Sequence, residues 1–225
     1  LGGTFRGSYY TLNDNIINGR IRGVAGVVGC NNARAKHNEA HIAVVKELIK
    51  NDVIVLTTGC NGIACAMEGL LTPESAAVHC GPGLAEVCET VGIPPVLHLG
   101  SCVDNTRILT LAAALAKYLG TDIDQLPLAG AAPEWYSEKA VSIGAYVVAS
   151  GIYTVLGVQP AIFGSPNVVN LLAAGLEDVV GAKFAIEADP EKAAVMIRRH
   201  IESKRAALGL PHLETKDVEA PSEAA

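Results

Sequence analysis

Short apolar runs alternate with amphipathic helical segments along most of this chain. The apolar runs predict strands at residues 20–30, 53–60, 95–102, 126–132, 153–158 and 182–188. Helices are predicted between them and after the last one, at 38–50, 61–70, 82–91, 105–120, 134–150, 168–181 and from 189 to the residue before Gly209. Because parallel strands need long crossover connections, this order predicts the α/β class, with a Rossmann-like, doubly wound parallel sheet.

The predicted domain organisation depends on whether a linker separates these segments. No Ser/Gly-rich linker divides the sequence, so we predict one domain over residues 1–209. Residues 210–225 are polar and are predicted to form a disordered tail. The sequence opens on Leu1 rather than Met, and we interpret it as a fragment of a longer chain.

Composition and charge exclude several classes of protein. The formal net charge is -6, and no basic patch is interleaved with aromatic residues, which argues against a nucleic-acid partner. The uncharged stretch 140–164 has the length of a membrane span, but three glycines and Pro160 interrupt it, so no span is predicted. Nothing in the sequence indicates secretion, and we expect its six cysteines to be reduced in the cytoplasm.

Three of the cysteines share one context, in which an apolar run meets a glycine, a cysteine and then a turn or cap residue. They are Cys30 in GVVGCNN, Cys60 in LTTGCNG and Cys102 in LHLGSCVDN. Functional groups gather beyond the carboxyl ends of strands in open α/β sheets, and a helix N-terminus after each thiol would favour the thiolate. Three soft thiolates suit Fe–S, Ni or Cu(I), so the pattern predicts a metal site. The alternative is three reduced thiols that pack as small apolar side chains.

The other candidate residues have weaker signals. Lys139 in APEWYSEKA lies early in its predicted helix, where the dipole disfavours a cation, so it faces either an anionic partner or solvent. His98 is predicted to be a core histidine, and His37 and His41 are predicted to lie on the surface. Three cysteines lack the strand-end context and are predicted to pack in the core: Cys65, Cys80 and Cys88.

Four long stretches resemble the C-terminal part of the anaerobic nickel–iron carbon monoxide dehydrogenases. They are NDNIINGRIRGVAGVVGCNN, LTTGCNGIACAMEGLLTPE, GPGLAEVCETVGIPPVLHLGSCVDNTRI and GAAPEWYSEKAVSIG, and the similarity runs from about residue 5 to residue 209. That family interconverts CO and CO2, using water and two electrons, at a nickel–iron–sulfur cluster. The resemblance therefore implies an anaerobic oxidoreductase with this fold.

The resemblance also implies roles for individual residues. In the family the cysteines of GCNN and TGC bind cluster irons and the cysteine of GSCVDN binds nickel, and these correspond to Cys30, Cys60 and Cys102. The lysine of SEKA, Lys139, is implied to hydrogen-bond the reacting carboxylate. Ile143, one turn further on, is implied to line the gas pocket.

Further parts and partners are implied outside this sequence. The resemblance places the remaining cluster ligands, a histidine and two cysteines, upstream of Leu1, together with the cysteines of further 4Fe–4S clusters. It implies a homodimer, a ferredoxin-like electron acceptor and acetyl-CoA synthase as a partner. Two alternatives stay open: a hydroxylamine reductase-type hybrid-cluster protein, which shares the fold but lacks nickel, and a non-catalytic metal-binding or scaffold module.

Overall fold

A computed structural model describes residues 10–219. Its six strands form one sheet in the order β3-β2-β1-β4-β5-β6, and every neighbouring pair is parallel. The strands are β1 (Gly23–Val27), β2 (Val53–Thr57), β3 (Val96–His98), β4 (Leu128–Ala132), β5 (Thr154–Leu156) and β6 (Phe184–Ile186). The predicted doubly wound α/β fold is confirmed, with the change of winding direction between β1 and β4.

Helices connect the strands and cover both faces of the sheet. Within residues 10–219 they are α1 (Tyr10–Asn18), α2 (Glu39–Lys50), α3 (Gly59–Met67), α4 (Ser75–His79), α5 (Pro82–Val91), α6 (Thr106–Leu119), α7 (Glu138–Ala149), α8 (Pro166–Asn170), α9 (Glu177–Val180), α10 (Pro190–Ala207) and α11 (Thr215–Glu219). Short 3-10 turns lie at Cys102–Asn105 and Ile123–Gln125, and a π turn at Leu171–Gly175.

The core is aliphatic and lies on both faces of the central strands. Every residue of β2 is buried, as expected for a strand of a parallel sheet that is covered on both sides. Helix α2 packs against α10 over one face. On the other face, α6 and α7 approach β4, whose sequence LAGAA offers only small side chains beyond its first residue. This leaves room between α7 and the sheet, directly beside the carboxyl ends of the strands.

Two predicted helices differ from the observed ones. The helix predicted at 134–150 begins only at Glu138, because residues 133–135 form a buried loop after β4. The helix predicted at 168–181 is divided by the π turn into α8 and α9. Both boundaries depend on tertiary packing that the local pattern does not carry.

The predicted disordered tail is wrong for residues 210–219. Arg205 is fully buried and its Nε donates a hydrogen bond to the carbonyl oxygen of Pro211 (2.7 Å), while Glu202 accepts one from the N–H of Leu213 (2.8 Å). Val218 of α11 is buried against the domain. Residues 1–9 and 220–225, which the predicted domain and tail also include, lie outside the described residues.

The uncharged stretch 140–164 is divided among most of α7, strand β5 and the loop after it. Across residues 10–219, no helix combines the length and the apolar character needed to cross a membrane.

Candidate metal centre

The register of the sheet brings the three predicted cysteines to one edge. The last residues of β1, β2 and β3 are paired in one row across the sheet. Cys30, Cys60 and Cys102 follow this row by three, three and four residues, respectively. Because neighbouring parallel strands end side by side, the three cysteine-bearing loops are adjacent at the carboxyl edge.

A glycine with positive φ lies between the end of each strand and its cysteine. The φ angles are +118° at Gly29, +60° at Gly59 and +124° at Gly100, a region that side chains other than glycine rarely adopt. The N–H of Gly59 also donates to the carbonyl oxygen of Gly100 (3.1 Å), and a Cβ on Gly59 would lie 3.3 Å from the Cβ of Cys102. The strands therefore stop earlier than predicted, and two cysteine loops come into close contact.

The predicted helix N-terminus after each thiol is present for two of the three cysteines. Cys60 lies in the first turn of α3, and Cys102 begins a 3-10 turn that leads into α6. At Cys30 the prediction is wrong, since an irregular loop separates it from Glu39, where α2 begins. The Cys30 thiol instead lies 3.7 Å from the hydroxyl of Ser137, the residue before α7.

Lys139 interacts electrostatically with the cysteine of each of the three loops. It is the second residue of α7, and its side chain is exposed. A hydrogen bond to Cys102 raises the pKa of Lys139 above its ordinary value, and charge interactions with Cys102, Cys30 and Cys60 raise it further. All three thiols therefore lie within the range over which charges act on this ammonium group.

A small cavity continues from this group of residues toward the sheet. Its volume is about 60 Å³, and its lining includes Cys30, Cys102 and Lys139 together with Trp135 and Ile143. Apolar residues of β4, α6 and α7 form the rest of the wall. A space of this size and character suits a small uncharged molecule better than a polar metabolite. A larger cavity of about 570 Å³, between α1, α6 and the sheet, contains none of the three cysteines.

The donor set consists of three thiols at neighbouring strand ends, which are soft ligands of the kind that iron and nickel sites use. Among residues 10–219, no three His, Cys, Asp or Glu side chains converge closely enough to hold one metal ion. In an iron–sulfur or nickel–iron–sulfur cluster the thiolates bind different metal atoms, so they surround the cluster and do not meet at one point. Cys30, Cys60 and Cys102 offer three separate thiols of this kind, one after each of three neighbouring strands.

The Prismane/CO dehydrogenase family matches residues 4–191. The chain belongs to this family. It is 62% identical over 204 residues to carbon monoxide dehydrogenase 1 of Methanosarcina mazei, covering 91% of this chain and 32% of that one. The match thus spans about a third of the length of that relative. These findings confirm the predicted resemblance and favour the carbon monoxide dehydrogenase interpretation over the hybrid-cluster alternative.

Solved structures agree with this assignment to the Prismane/CO dehydrogenase family. A Ni-free carbon monoxide dehydrogenase from Thermococcus sp. AM4 superposes with a TM-score of 0.89 at 53% identity, covering 91% of this chain and 32% of that one. An acetyl-CoA synthase/carbon monoxide dehydrogenase, described with NiZn[Fe4S4] and NiNi[Fe4S4] clusters in its alpha subunits, has a TM-score of 0.86 at 38% identity. It covers 89% of this chain and 31% of that one.

The remaining thiols of this family member are core residues, as predicted. Cys65 and Cys88 are fully buried, and Cys80 packs against the aliphatic core. Burial raises the pKa of each of these three thiols to about 12. They are therefore protonated at neutral pH, unlike the thiolates that a metal cluster requires.

Two histidine predictions are wrong. His98 is exposed at the end of β3, with its imidazole against α3 at Gly62. His41 is fully buried, and its Nε2 donates to the carbonyl oxygen of Cys30 at 3.0 Å, whereas His37 is exposed as predicted. Burial lowers the pKa of His41, and nearby Glu134 opposes that shift. His41 shares the buried face of α2 with Val44 and Val45, so the helical spacing carried a signal for its burial.

Buried side chains that sequence reasoning missed connect the cysteine loops. The Nδ2 of Asn61, next to Cys60, donates to the carbonyl oxygen of Val27 and to Oγ1 of Thr57, both at 2.7 Å. The hydroxyl of Thr58 donates to Asn105, in the turn that carries Cys102. Glu134 is also fully buried and accepts hydrogen bonds from the segment that follows Cys30.

Proposed function

We propose that this chain is part of an anaerobic carbon monoxide dehydrogenase, which interconverts CO and water with CO2, two electrons and two protons. The observation that carries the proposal is that three thiols follow neighbouring strand ends, and that two of them line a small apolar cavity together with Lys139. Membership of the Prismane/CO dehydrogenase family supports the same reaction. This arrangement argues against a scaffold module, since a structural role does not require a lysine and two thiols at one apolar cavity.

In this proposal Cys30 and Cys60 bind irons of a nickel–iron–sulfur cluster, and Cys102 binds its nickel. When bound, that cluster supplies a site for CO, an activated water and an acceptor for the electrons. Lys139 holds a positive charge that faces the carboxylate as it develops, which stabilises the transition state electrostatically. Ile143 and its apolar neighbours keep the cavity beside these groups accessible to a gas.

The partners of this activity are part of the same proposal. We place the remaining cluster ligands and further 4Fe–4S clusters in the parts of the longer relatives that this chain does not match, since the match covers 32% of each. A homodimer in the cytoplasm, with a ferredoxin-type electron acceptor, fits that reaction. The combined name of one structural relative supports acetyl-CoA synthase as a further partner.

We expect Lys139→Ala to lower kcat for CO oxidation by about 100-fold, the loss typical of removing a group that stabilises developing charge. Nickel and iron contents should stay at the level of the native protein, because a protonated lysine is not a metal ligand. The assay measures CO-dependent reduction of a low-potential acceptor per bound nickel, under anaerobic conditions.

Lys192→Ala is the matched control, because Lys192 is also an exposed lysine in the first turn of a helix, α10, and pairs with Asp189 at 3.8 Å. It should oxidise CO at the native rate. A Lys139→Ala protein with full metal content and the native rate would contradict the proposed role of Lys139. A native protein that carries the metals and oxidises no CO would contradict the proposed function.

A further inference from the structure

Glu134 is a buried carboxylate that accepts hydrogen bonds from four amide N–H groups. Its Oε2 accepts hydrogen bonds from Nδ2 of Asn31 (3.0 Å) and from the N–H of Asn38 (3.2 Å). Its Oε1 accepts from the N–H of Ala40 (3.1 Å) and, less closely, of His41 (3.4 Å). The side chain is 0% exposed, so this carboxylate needs these donors to offset the loss of water.

These contacts make Glu134 the N-terminal cap of a helix that lies far away in sequence. Asn38 precedes α2 with a φ of 67° and makes no side-chain hydrogen bond to cap it. The first free N–H groups of α2 are instead satisfied by Glu134, whose negative charge also suits the positive end of the helix dipole. The cap therefore joins the loop after β4 to the start of α2.

The same contacts join two parts of the proposed metal site, the loop that carries Cys30 and the loop that precedes Lys139. Asn31 follows Cys30 directly, and Glu134 precedes Lys139 by five residues. On the Cys30 side, His41 is held by the cap and bonds the Cys30 carbonyl oxygen. A parallel link runs from Nδ2 of Asn32 to the carbonyl oxygen of Trp135 (2.9 Å). Both links connect the loop after β1 to the loop after β4. The winding of the sheet changes direction between these two strands.

We propose that Glu134 is a positioning residue that sets the placement of the Cys30 thiol relative to the Lys139 ammonium. The inference rests on the proposed function, because its consequence is a correctly placed cation beside the cluster. Glu134 does not touch the reacting atoms. It acts by holding the Cys30 loop, the start of α2 and the loop before α7 in one arrangement.

Glu134→Gln tests this role with little change in volume. One carboxylate oxygen becomes an NH2 group facing two N–H donors, so half of the cap is lost. We expect kcat per bound nickel to fall about tenfold, since small displacements in an active site have effects of this size or larger. The electron paramagnetic resonance spectrum of the cluster should shift, and amide exchange should accelerate together in residues 30–41 and 134–139.

Asp52→Asn is the matched control. Asp52 accepts a hydrogen bond from the N–H of Leu84 (2.7 Å) at the start of α5, and it precedes β2, at the opposite edge of the sheet from the cysteines. This variant also weakens a carboxylate cap, at a half-buried residue. It should lower the stability of the protein while kcat per nickel and the cluster spectrum stay native.

Asn31→Ala provides a second route if Glu134→Gln does not fold. It removes one donor to Glu134 and leaves the backbone N–H groups of α2 capped. Asn31 Nδ2 also donates to Oδ1 of Asn38 (2.8 Å), so the substitution removes two side-chain contacts and no backbone donor. We expect the same spectral shift and a fall in kcat per nickel of about threefold, smaller than for Glu134→Gln because the carboxylate and its backbone donors remain. Native spectra and native kcat per nickel in both variants, or in whichever of them folds, would overturn the positioning role.

Amide exchange separates this proposal from the proposed function. If Glu134→Gln accelerates exchange in both segments while the native protein oxidises no CO, the proposed function fails and the coupling of the segments stands. If the native protein oxidises CO and Glu134→Gln changes neither exchange in the two segments nor kcat per nickel, the positioning role fails alone. Faster exchange in 30–41 without 134–139 would also overturn it, because the two segments would then not be coupled.

Discussion

At the scale of single residues, the six thiols fall into two environments. Cys60 is exposed, and Cys30 and Cys102 are partly exposed beside Lys139. The other three lie in or against the aliphatic core, where burial raises the thiol pKa to about 12. The contrast separates the thiols that we propose as metal ligands from thiols that pack as apolar side chains.

Alkylation of the metal-free protein should reproduce this division. At pH 8 a thiol with a pKa of about 12 is ionised only to about 1 part in 10⁴, so Cys65, Cys80 and Cys88 should resist iodoacetamide until the protein is denatured. Cys60 should be labelled first because it is the most exposed. Peptide mass spectrometry at timed intervals measures the order. Labelling of Cys65 as fast as Cys60 would contradict the assignment.

The cysteine motif and Glu134 show what could be predicted from the sequence and what could not. The cysteine motif was recognisable because each copy repeats a local strand–glycine–cysteine order. The role of Glu134 was not recognisable, since its partners lie 93 to 103 positions away. Pro-Glu after a strand is a normal helix start, and only the tertiary structure turns Glu134 toward α2 instead.

At the scale of elements, side chains next to the cysteines fix the spacing of the loops. Asn61 bridges the end of β1 to the end of β2, and Thr58 bridges the Cys60 loop to the Cys102 turn through Asn105. The bridge that Asn61 makes gives a structural reason for an asparagine directly after Cys60. The alternation of strands and helices was predictable from hydrophobic periodicity, whereas these bridges depend on which strands become neighbours.

We expect Asn61→Ala to lower the free energy of unfolding by about 1–3 kcal/mol, because the carbonyl oxygen of Val27 loses a buried donor. Iron content should fall in the same variant, since the Cys30 and Cys60 loops are no longer joined. Denaturant unfolding and metal analysis measure the two effects. Asn18→Ala, at an exposed position, is the control and should change neither. Native stability in Asn61→Ala would refute the bridging role.

At the scale of the whole molecule, the two ends of the described chain are joined through α10. Arg205 donates from Nη1 to carbonyl oxygens of Ile16 and Arg22 and from Nε to that of Pro211. Helix α10 also carries His200, whose ring stacks on Tyr153 with the centroids 4.6 Å apart. Burial, with Lys204 and Lys183 nearby, lowers the pKa of His200 to about 3.

This histidine should make the folded state sensitive to acid. Its pKa is lower in the folded protein than in the unfolded chain, so the unfolded chain binds the proton first as the pH falls below about 6.5. Between pH 7.5 and pH 5 the free energy of unfolding should therefore drop by about 2 kcal/mol on account of His200. The contribution is complete above pH 6.5 and is lost as the pH falls toward 3.

Substitution of His200→Phe retains an aromatic ring against Tyr153 and removes the titrating group. Urea unfolding of the metal-free protein at pH 7.5 and pH 5 should show a smaller loss of stability in this variant than in the native chain. His212→Gln is the control, because His212 is exposed. An identical loss in the native chain and in His200→Phe would show that His200 is not the sensitive group.

The central claim is that Cys30, Cys60 and Cys102 are three of the ligands of one nickel–iron–sulfur cluster. Its most direct test is the amount of nickel and iron per chain, measured in native protein and in Cys102→Ala purified without oxygen, with Cys88→Ala as control. We predict nickel and several irons in the native protein and in Cys88→Ala, and iron without nickel in Cys102→Ala. Absence of nickel from the native protein, or unchanged nickel in Cys102→Ala, would contradict the claim.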